Sequence, residues 1–441
     1  MNKKISVSIA LSITLIAMTV TMAITMVIAR QMFNTNISST IQRQVLNNKI
    51  SDIDRYARGN YYGEIDDTYL GDRVARGYVD GLRDSGAVYY TEKEYAELLE
   101  IENGKRVGIG IEVIRDPNNY FLIAKVYPDS PAAQAGITVG GYITKVDETD
   151  AKSFGSVKAM QAALRGLEGA PVTLTCLYNS TEEKSFTVQR VPYTAPTIDA
   201  WQNLDGFAYI RISSFGANTY AEFDYAVRDA QAQGVKGFVF DLRGNTGGQY
   251  EQAYKMIDLV CPLGTIAKAE YKNGTTKVLS TSDDENSIDL PMVVVVNADT
   301  SGAAELFAAS IRNLAGGQLV GAQTAGKGML QSAPQRLSDG SAVVVTVAKL
   351  LTGNDEAWDG TGLTPEVIVT AGADSELSLY NVDPRTDSQI VRATDLARSL
   401  ARAAGIDVTG GDAATASEAA GESGADTSAS APEETSSAAS E

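Results

Sequence analysis

One short stretch concentrates the residues able to do chemistry. An apolar run, Met292 to Val296, ends in Asn297-Ala298-Asp299-Thr300-Ser301-Gly302, and a helical pattern from Ala303 to Leu314 follows at once. After a second apolar piece, Gln318 to Val320, comes a glycine-bracketed lysine, Gly326-Lys327-Gly328, with Gln331 four residues on. A small-residue turn feeding a helix, joined to a lysine between glycines, suits a serine/lysine hydrolase. A serine hydroxyl needs a base to become a useful nucleophile. The chain has 0 histidines, so a Ser-His-Asp triad and any histidine-based metal site are excluded. Lysine is the natural base once burial has lowered its affinity for a proton. The glycines beside Lys327 permit close backbone approach and unusual dihedrals. Gln331 is expected to hold the lysine amine, and the turn entering the helix offers free N–H groups to an oxyanion. No cofactor and no metal are expected.

The elements that must position these residues read as an α/β layered core. Strands are expected at Phe207–Ile212, Gly237–Asp241, Met292–Val296, Leu319–Gly321 and Ala342–Ala348, and helices at Ala217–Gln233, Gln249–Leu259 and Ala303–Leu314. Between the second strand and second helix lies Gly244-Asn245-Thr246-Gly247-Gly248, a tight strand-to-helix turn. It lacks the Gly-Lys-Ser/Thr of a phosphate loop. Asp241 and Arg243 read as a structural ion pair. Thr91 and Glu94 have the spacing of a capping box, and Tyr69–Leu82 has helical spacing.

Composition bounds the rest. The 441 residues are 21% charged and 44% hydrophobic, with a net charge of −18. Seven acids and no bases lie between Thr409 and Glu441. An acidic surface gives no support to nucleic-acid binding. The two cysteines, Cys176 and Cys261, read as small buried apolar residues. Ile5 to Ala29 is a 25-residue run without a charge, behind Lys3 and Lys4. It is long enough to span a bilayer, so a single uncleaved anchor at the cell membrane is expected, with the bulk of the chain extracytoplasmic.

Thr300-Ser301-Gly302-Ala303-Ala304-Glu305 and Gly326-Lys327-Gly328-Met329-Leu330-Gln331 resemble the core of the C-terminal processing peptidases, or tail-specific proteases. Tyr209–Phe215, Phe240–Gly248, Leu337–Ser341 and Asp359–Val367 resemble further segments of that family, in the same order. The resemblance covers about Leu70 to Thr370. It implies a serine-type endopeptidase with Lys327 as base and Gln331 beside it. It also implies oxyanion donors among Gly247, Gly248 and Ala303. The family's serine lies three residues before the glutamate matched by Glu305 and 25 before the lysine matched by Lys327, and both counts land on Gly302. Two readings follow. In one the turn shifts by a residue and Ser301 attacks. In the other the nucleophile is lost and a pseudo-protease remains as a peptide-binding or scaffold module.

Arg106 to Val191 resembles a PDZ domain. Its Gly108-Ile109-Gly110-Ile111 corresponds to the loop whose amides grip a C-terminal carboxylate while the peptide adds a strand to the sheet edge. The implied partners are polypeptides with exposed apolar C-termini. The expected organisation is a transmembrane anchor (1–30), a helical region (31–104), the inserted PDZ domain (105–192), the α/β peptidase core (193–372), a C-terminal helix (373–408) and a disordered Ala/Ser/Glu tail (409–441).

Overall fold

The structure is a computed structural model. It describes residues 7–103, 106–116, 118–179, 181–193, 195–198, 201–370, 379 and 382–408. The expected tail, 409–441, and most of the segment joining the core to its last helix lie outside these residues. The chain divides into two units, Met1–Tyr78 and Val79–Glu441.

The first unit is helical. Val7–Asn60 forms one helix, and Asp67–Asp80 begins a second. An exposed ion pair, Arg58 to Asp67 at 2.5 Å, joins the two. The expected membrane anchor finds no support: among the described residues no helix is long and apolar enough to cross a membrane. The charge-free run carries Thr19, Thr21 and Thr25, whose hydroxyls turn back onto carbonyls one turn earlier, at 2.8–2.9 Å.

Within the second unit, the PDZ domain is a sheet in the order Ile111–Arg115, Phe121–Val126, Tyr142–Val146, Pro171–Tyr178, Glu182–Gln189. Ile111, Val113, Phe121, Ile123, Val172, Leu174 and Cys176 are buried in its core. Strand Ile111–Arg115 lies at the end of the sheet. Helix Val157–Leu164, capped by Ser156 accepting from the Ala159 amide, packs near that strand. A two-stranded ribbon, Arg106–Gly108 with Val191–Tyr193, closes the domain where the chain enters and leaves.

The expected α/β core is built on a six-stranded sheet in the order Gln202–Leu204, Phe207–Arg211, Phe238–Asp241, Met292–Val296, Gln318–Gly321, Val367–Ile368. All pairs but the first are parallel. Alternation along each strand assigns the two faces. Ile210, Phe238, Phe240, Met292, Val294 and Leu319 face helices Thr219–Ala232, Tyr250–Val260 and Ala303–Ala315. Tyr209, Val239, Val293, Val295 and Val320 face Ile390, Ala393 and Ala397 of helix Ser388–Ala403. Both faces are covered, so these strands are continuously apolar.

A second sheet flanks this one, in the order Thr276–Ser282, Gly264–Tyr271, Thr346–Thr352, Met329–Gln331. The expected strand Ala342–Ala348 is split. The Val345 amide donates to Ser332 Oγ at 3.2 Å and its carbonyl accepts from the Ser332 amide at 2.8 Å. Ala342–Val344 therefore pairs with Val88–Tyr90 in a third sheet. The capping box at Thr91 and Glu94 is present.

Candidate active site

Two strand-to-helix turns meet at the C-terminal ends of neighbouring parallel strands, the position at which open α/β sheets place ligands. The first follows Phe238–Asp241 and enters helix Tyr250–Val260. The second follows Met292–Val296 and enters helix Ala303–Ala315. Buried polar side chains knit them together. Asn297 Oδ1 accepts from the Gly244 amide at 3.0 Å and the Thr300 amide at 3.2 Å. Thr300 Oγ1 donates to the Leu242 carbonyl at 2.9 Å. Asn245 Nδ2 donates to the Ile212 carbonyl at 2.9 Å, while the Ser301 amide donates to the Asn245 carbonyl at 3.0 Å. At Gly247 a side chain is impossible, because a Cβ would lie 2.8 Å from the Ser301 carbonyl oxygen.

Gly302 stands at the helix N-cap with φ 61° and ψ −118°, a conformation that side chains rarely adopt. Space there is open. The atom nearest to a Cβ built on Gly302 is the Tyr250 hydroxyl, at 3.7 Å. Burial pushes the Tyr250 hydroxyl's pKa up, and the neighbouring Tyr254, Glu305 and Asp359 add to the rise, so the group stays protonated. Ser301 is turned the other way. It is 1% exposed, and its Oγ has no hydrogen-bond partner among the described residues.

The residue that unites the site is Glu305, in the first turn of the helix and fully buried. Its carboxylate accepts from the Gly302 amide at 3.0 Å, the Gly326 amide at 2.7 Å, the Lys327 amide at 2.8 Å and the Thr324 hydroxyl. One buried anion thus fixes the turn at Gly302 relative to the lysine loop. Four donors aimed at the charged form make this burial tolerable. Glu305 accepting from the Gly302 amide is the carboxylate half of a capping box.

Around Lys327 the glycines serve close packing. A Cβ on Gly326 would meet the Gly362 amide nitrogen at 2.8 Å, and one on Gly328 would meet that of Asp359 at 2.7 Å. The Gly328 amide donates to Asp359 Oδ1 at 3.0 Å. The Lys327 side chain is exposed, and no described residue hydrogen-bonds its amine. Gln331, expected to hold that amine, instead donates from Nε2 to Thr346 Oγ1 at 3.3 Å and packs against Gly86. Thr346 is tied to Asp84 by its amide and hydroxyl, at 3.0 and 2.8 Å. Burial works to raise the pKa of Asp84, but donors from Gly86 and Thr346 outweigh it and hold the carboxyl below its ordinary range.

Of the expected oxyanion donors, Gly247 is already engaged: its amide donates to Asn245 Oδ1 at 2.8 Å. Gly248, whose φ is 137°, packs against the Phe215 carbonyl. Ala303 opens the helix directly after the turn. Asp241 and Arg243 form a buried pair at 2.7 Å; Tyr209 donates to Asp241, and Arg243 also contacts Asp387 and Gln389. This network ties the sheet to the last helix. Burial pushes both cysteine thiols up to about 12, leaving them un-ionised.

Among the PDZ residues, Gly108, Ile109, Gly110 and Ile111 are all buried, and Gly110 has a φ of 77°. A Cβ there would lie 2.2 Å from that of Ser130. The Ile109 and Gly110 carbonyls accept from the Ala132 and Tyr127 amides, at 2.9 and 3.0 Å. The loop is therefore held from behind, leading into strand Ile111–Arg115.

This geometry is that of a peptidase core with an inserted PDZ domain, and comparison with known proteins agrees. Residues 206–369 match Peptidase family S41, and residues 122–177 match the PDZ domain. The chain is 32% identical over 311 residues to the carboxy-terminal processing protease CtpA of Bacillus subtilis, covering 70% of this chain and 66% of that one. It is 31% identical over 310 residues to the carboxyl-terminal-processing protease of Synechocystis, covering 69% and 71%. A putative S41 protease from Bacteroides fragilis shares the fold, with a TM-score of 0.51 at 17% identity over 77% of this chain and 92% of that one. The chain belongs to the carboxyl-terminal processing proteases, serine-type peptidases of family S41.

Proposed function

We propose that this chain is an endopeptidase that cuts polypeptides near C-termini held by its PDZ domain. The observation that carries this reading is the Glu305 carboxylate, which binds the turn at Gly302 and the loop at Lys327 into one unit. A serine/lysine hydrolase needs such a joint to keep nucleophile and base in fixed relation. On this reading Ser301 attacks and Lys327 takes its proton. Gly302 is the hinge that turns Ser301 into the cleft, since a glycine accepts φ of either sign. Gly248 and Ala303 then offer amides to the oxyanion.

A second reading is capture without cleavage. What favours it is Gly302, which carries no side-chain hydroxyl at the helix N-cap, together with the buried Oγ of Ser301, unpartnered among the described residues. One assay separates the two. The full chain is incubated with an unstructured protein ending in apolar residues, beside Ser301→Ala, Lys327→Ala and Gly302→Ser. Endopeptidase action predicts native cleavage that falls at least about 100-fold in both alanine variants. Native inactivity with cleavage gained in Gly302→Ser overturns it in favour of capture.

Attachment to a membrane, with the bulk of the chain outside the cytoplasm, rests on the charge-free run 5–29 alone. Recovery of the chain from cells by alkaline carbonate, without detergent, would refute it.

A further inference from the structure

Arg190 is a buried cation without an acid. It lies between strands Glu182–Gln189 and Val191–Tyr193, and its residue is 9% exposed. Its guanidinium donates only to carbonyls: Ala163 at 2.7 Å, Leu164 at 3.3 Å, Pro171 at 2.8 Å and, at the limit, Ala170 at 3.5 Å. No carboxylate pairs with it among the described residues. Burying an ion this way is unfavourable unless something offsets the charge. Ala163 and Leu164 end the helix Val157–Leu164, and the partial negative charge of a helix C-terminus offsets about half of a unit charge. Net positive charge remains.

That charge sits beside the loop that resembles a carboxylate grip. Gly108 is the register partner of Val191, the residue after Arg190. A Cβ built on Gly108 would lie 3.7 Å from the Leu164 carbonyl oxygen and 3.8 Å from Arg165 Cγ. The end of the helix and the loop are thus neighbours. Without Arg190, the helix would present bare carbonyls toward an incoming carboxylate and repel it. With Arg190 seated on those carbonyls, the sign is reversed.

We infer that Arg190 determines the PDZ domain's preference for a free α-carboxylate over an uncharged chain terminus. It acts through the helix end and the field it sets, without touching the ligand. This rests on the reading that the groove beside strand Ile111–Arg115 takes polypeptide C-termini.

The test uses the full chain and a fluorescein-labelled decapeptide ending in two alanines, made as free acid and as carboxamide. The quantity read is the ratio of the two dissociation constants on one protein, which cancels any loss of folded fraction. Arg190→Gln keeps a donor for the carbonyls and removes the charge; Arg190→Lys keeps the charge and loses most of the cap. The native chain is expected to prefer the acid. Gln is expected to lower that preference about tenfold, the size of one partly buried charge contact, and Lys to retain most of it. A native preference that survives in Gln overturns the inference alone. A preference lost equally in Lys and Gln also overturns it, by making Arg190 a structural cap. A native chain that binds neither form, or both alike, overturns the inference together with the C-terminal capture on which it rests.

Discussion

The PDZ groove and the turn at Gly302 ask different things of a sequence. On the proposed reading the groove works with backbone: a sheet edge at Ile111–Arg115 and a loop, 108–111, whose amides would grip a carboxylate. Many side chains satisfy such a site, provided the glycines fit and the loop is held from behind. The turn at Gly302 also has its backbone set, by Asn245, Asn297, Thr300 and Glu305. Yet hydrolysis needs one hydroxyl at one place, and here a single residue decides. The scaffold around Gly302 is complete, while the hydroxyl of the adjoining Ser301 is buried. A binding site can drift in sequence and persist; a catalytic one is altered by a change at a single position.

The sharpest way to break this contrast is at Glu305. If the backbone at Gly302 is truly fixed by side chains, then Glu305→Ala leaves the amides of Gly302, Gly326 and Lys327 without their buried acceptor. Each unsatisfied group costs about 1–3 kcal/mol, and together they are expected to lower stability by about 3–5 kcal/mol, the scale of breaking a buried charged network. Urea unfolding measures it. A loss below about 1 kcal/mol would mean the turn holds its shape without the carboxylate.

Much of this was legible beforehand, and the exceptions have physical causes. The strands facing helices on both sides, such as Met292–Val296, announce themselves as unbroken apolar runs. The hairpin Gly264–Tyr271 with Thr276–Ser282 does not, because Glu270, Thr276 and Lys277 face water and blur the alternation. The pairing of Gly326-Lys327-Gly328 with Thr300–Gly302 is legible in residue types and order. What could not be read was where a hydroxyl points. Ser301 and Gly302 differ by one position, about 100° around a helix, and only the fold sets which of them faces the cleft. Gln331 illustrates the same limit. Spacing brought it near Lys327, but the segment Asp84–Gly86, about 250 residues earlier in the chain, directs its amide to Thr346.

The core's dependence on side chains is also testable through pH. Burial works against ionisation of Asp241, but the Arg243 charge and its hydrogen bonds outweigh this and hold the carboxyl below its ordinary range. A depressed folded pKa adds stability above the unfolded value, near ~3.9, and that stability is lost as pH falls through the lower folded value. Asp241→Asn is expected to be about 3 kcal/mol less stable than the native chain at neutral pH. The gap should close below about pH 4. A gap constant from neutral to acid would assign the loss to packing rather than to charge.

The smallest expected effect completes the comparison from the other side. Ile109 is 1% exposed, within the loop 108–111 proposed to bind a C-terminus. If that loop binds through backbone, trimming the side chain should barely be felt there. Ile109→Val removes one buried methylene, which costs about 0.5–1.5 kcal/mol of stability. The Ile109 carbonyl keeps its bond from the Ala132 amide, so the loop stays in place. The dissociation constant for a C-terminal peptide is therefore expected to change by less than about threefold. A tenfold weakening with unchanged unfolding would mean that the groove, like the turn at Gly302, depends on one side chain, and the contrast between the two sites would fail.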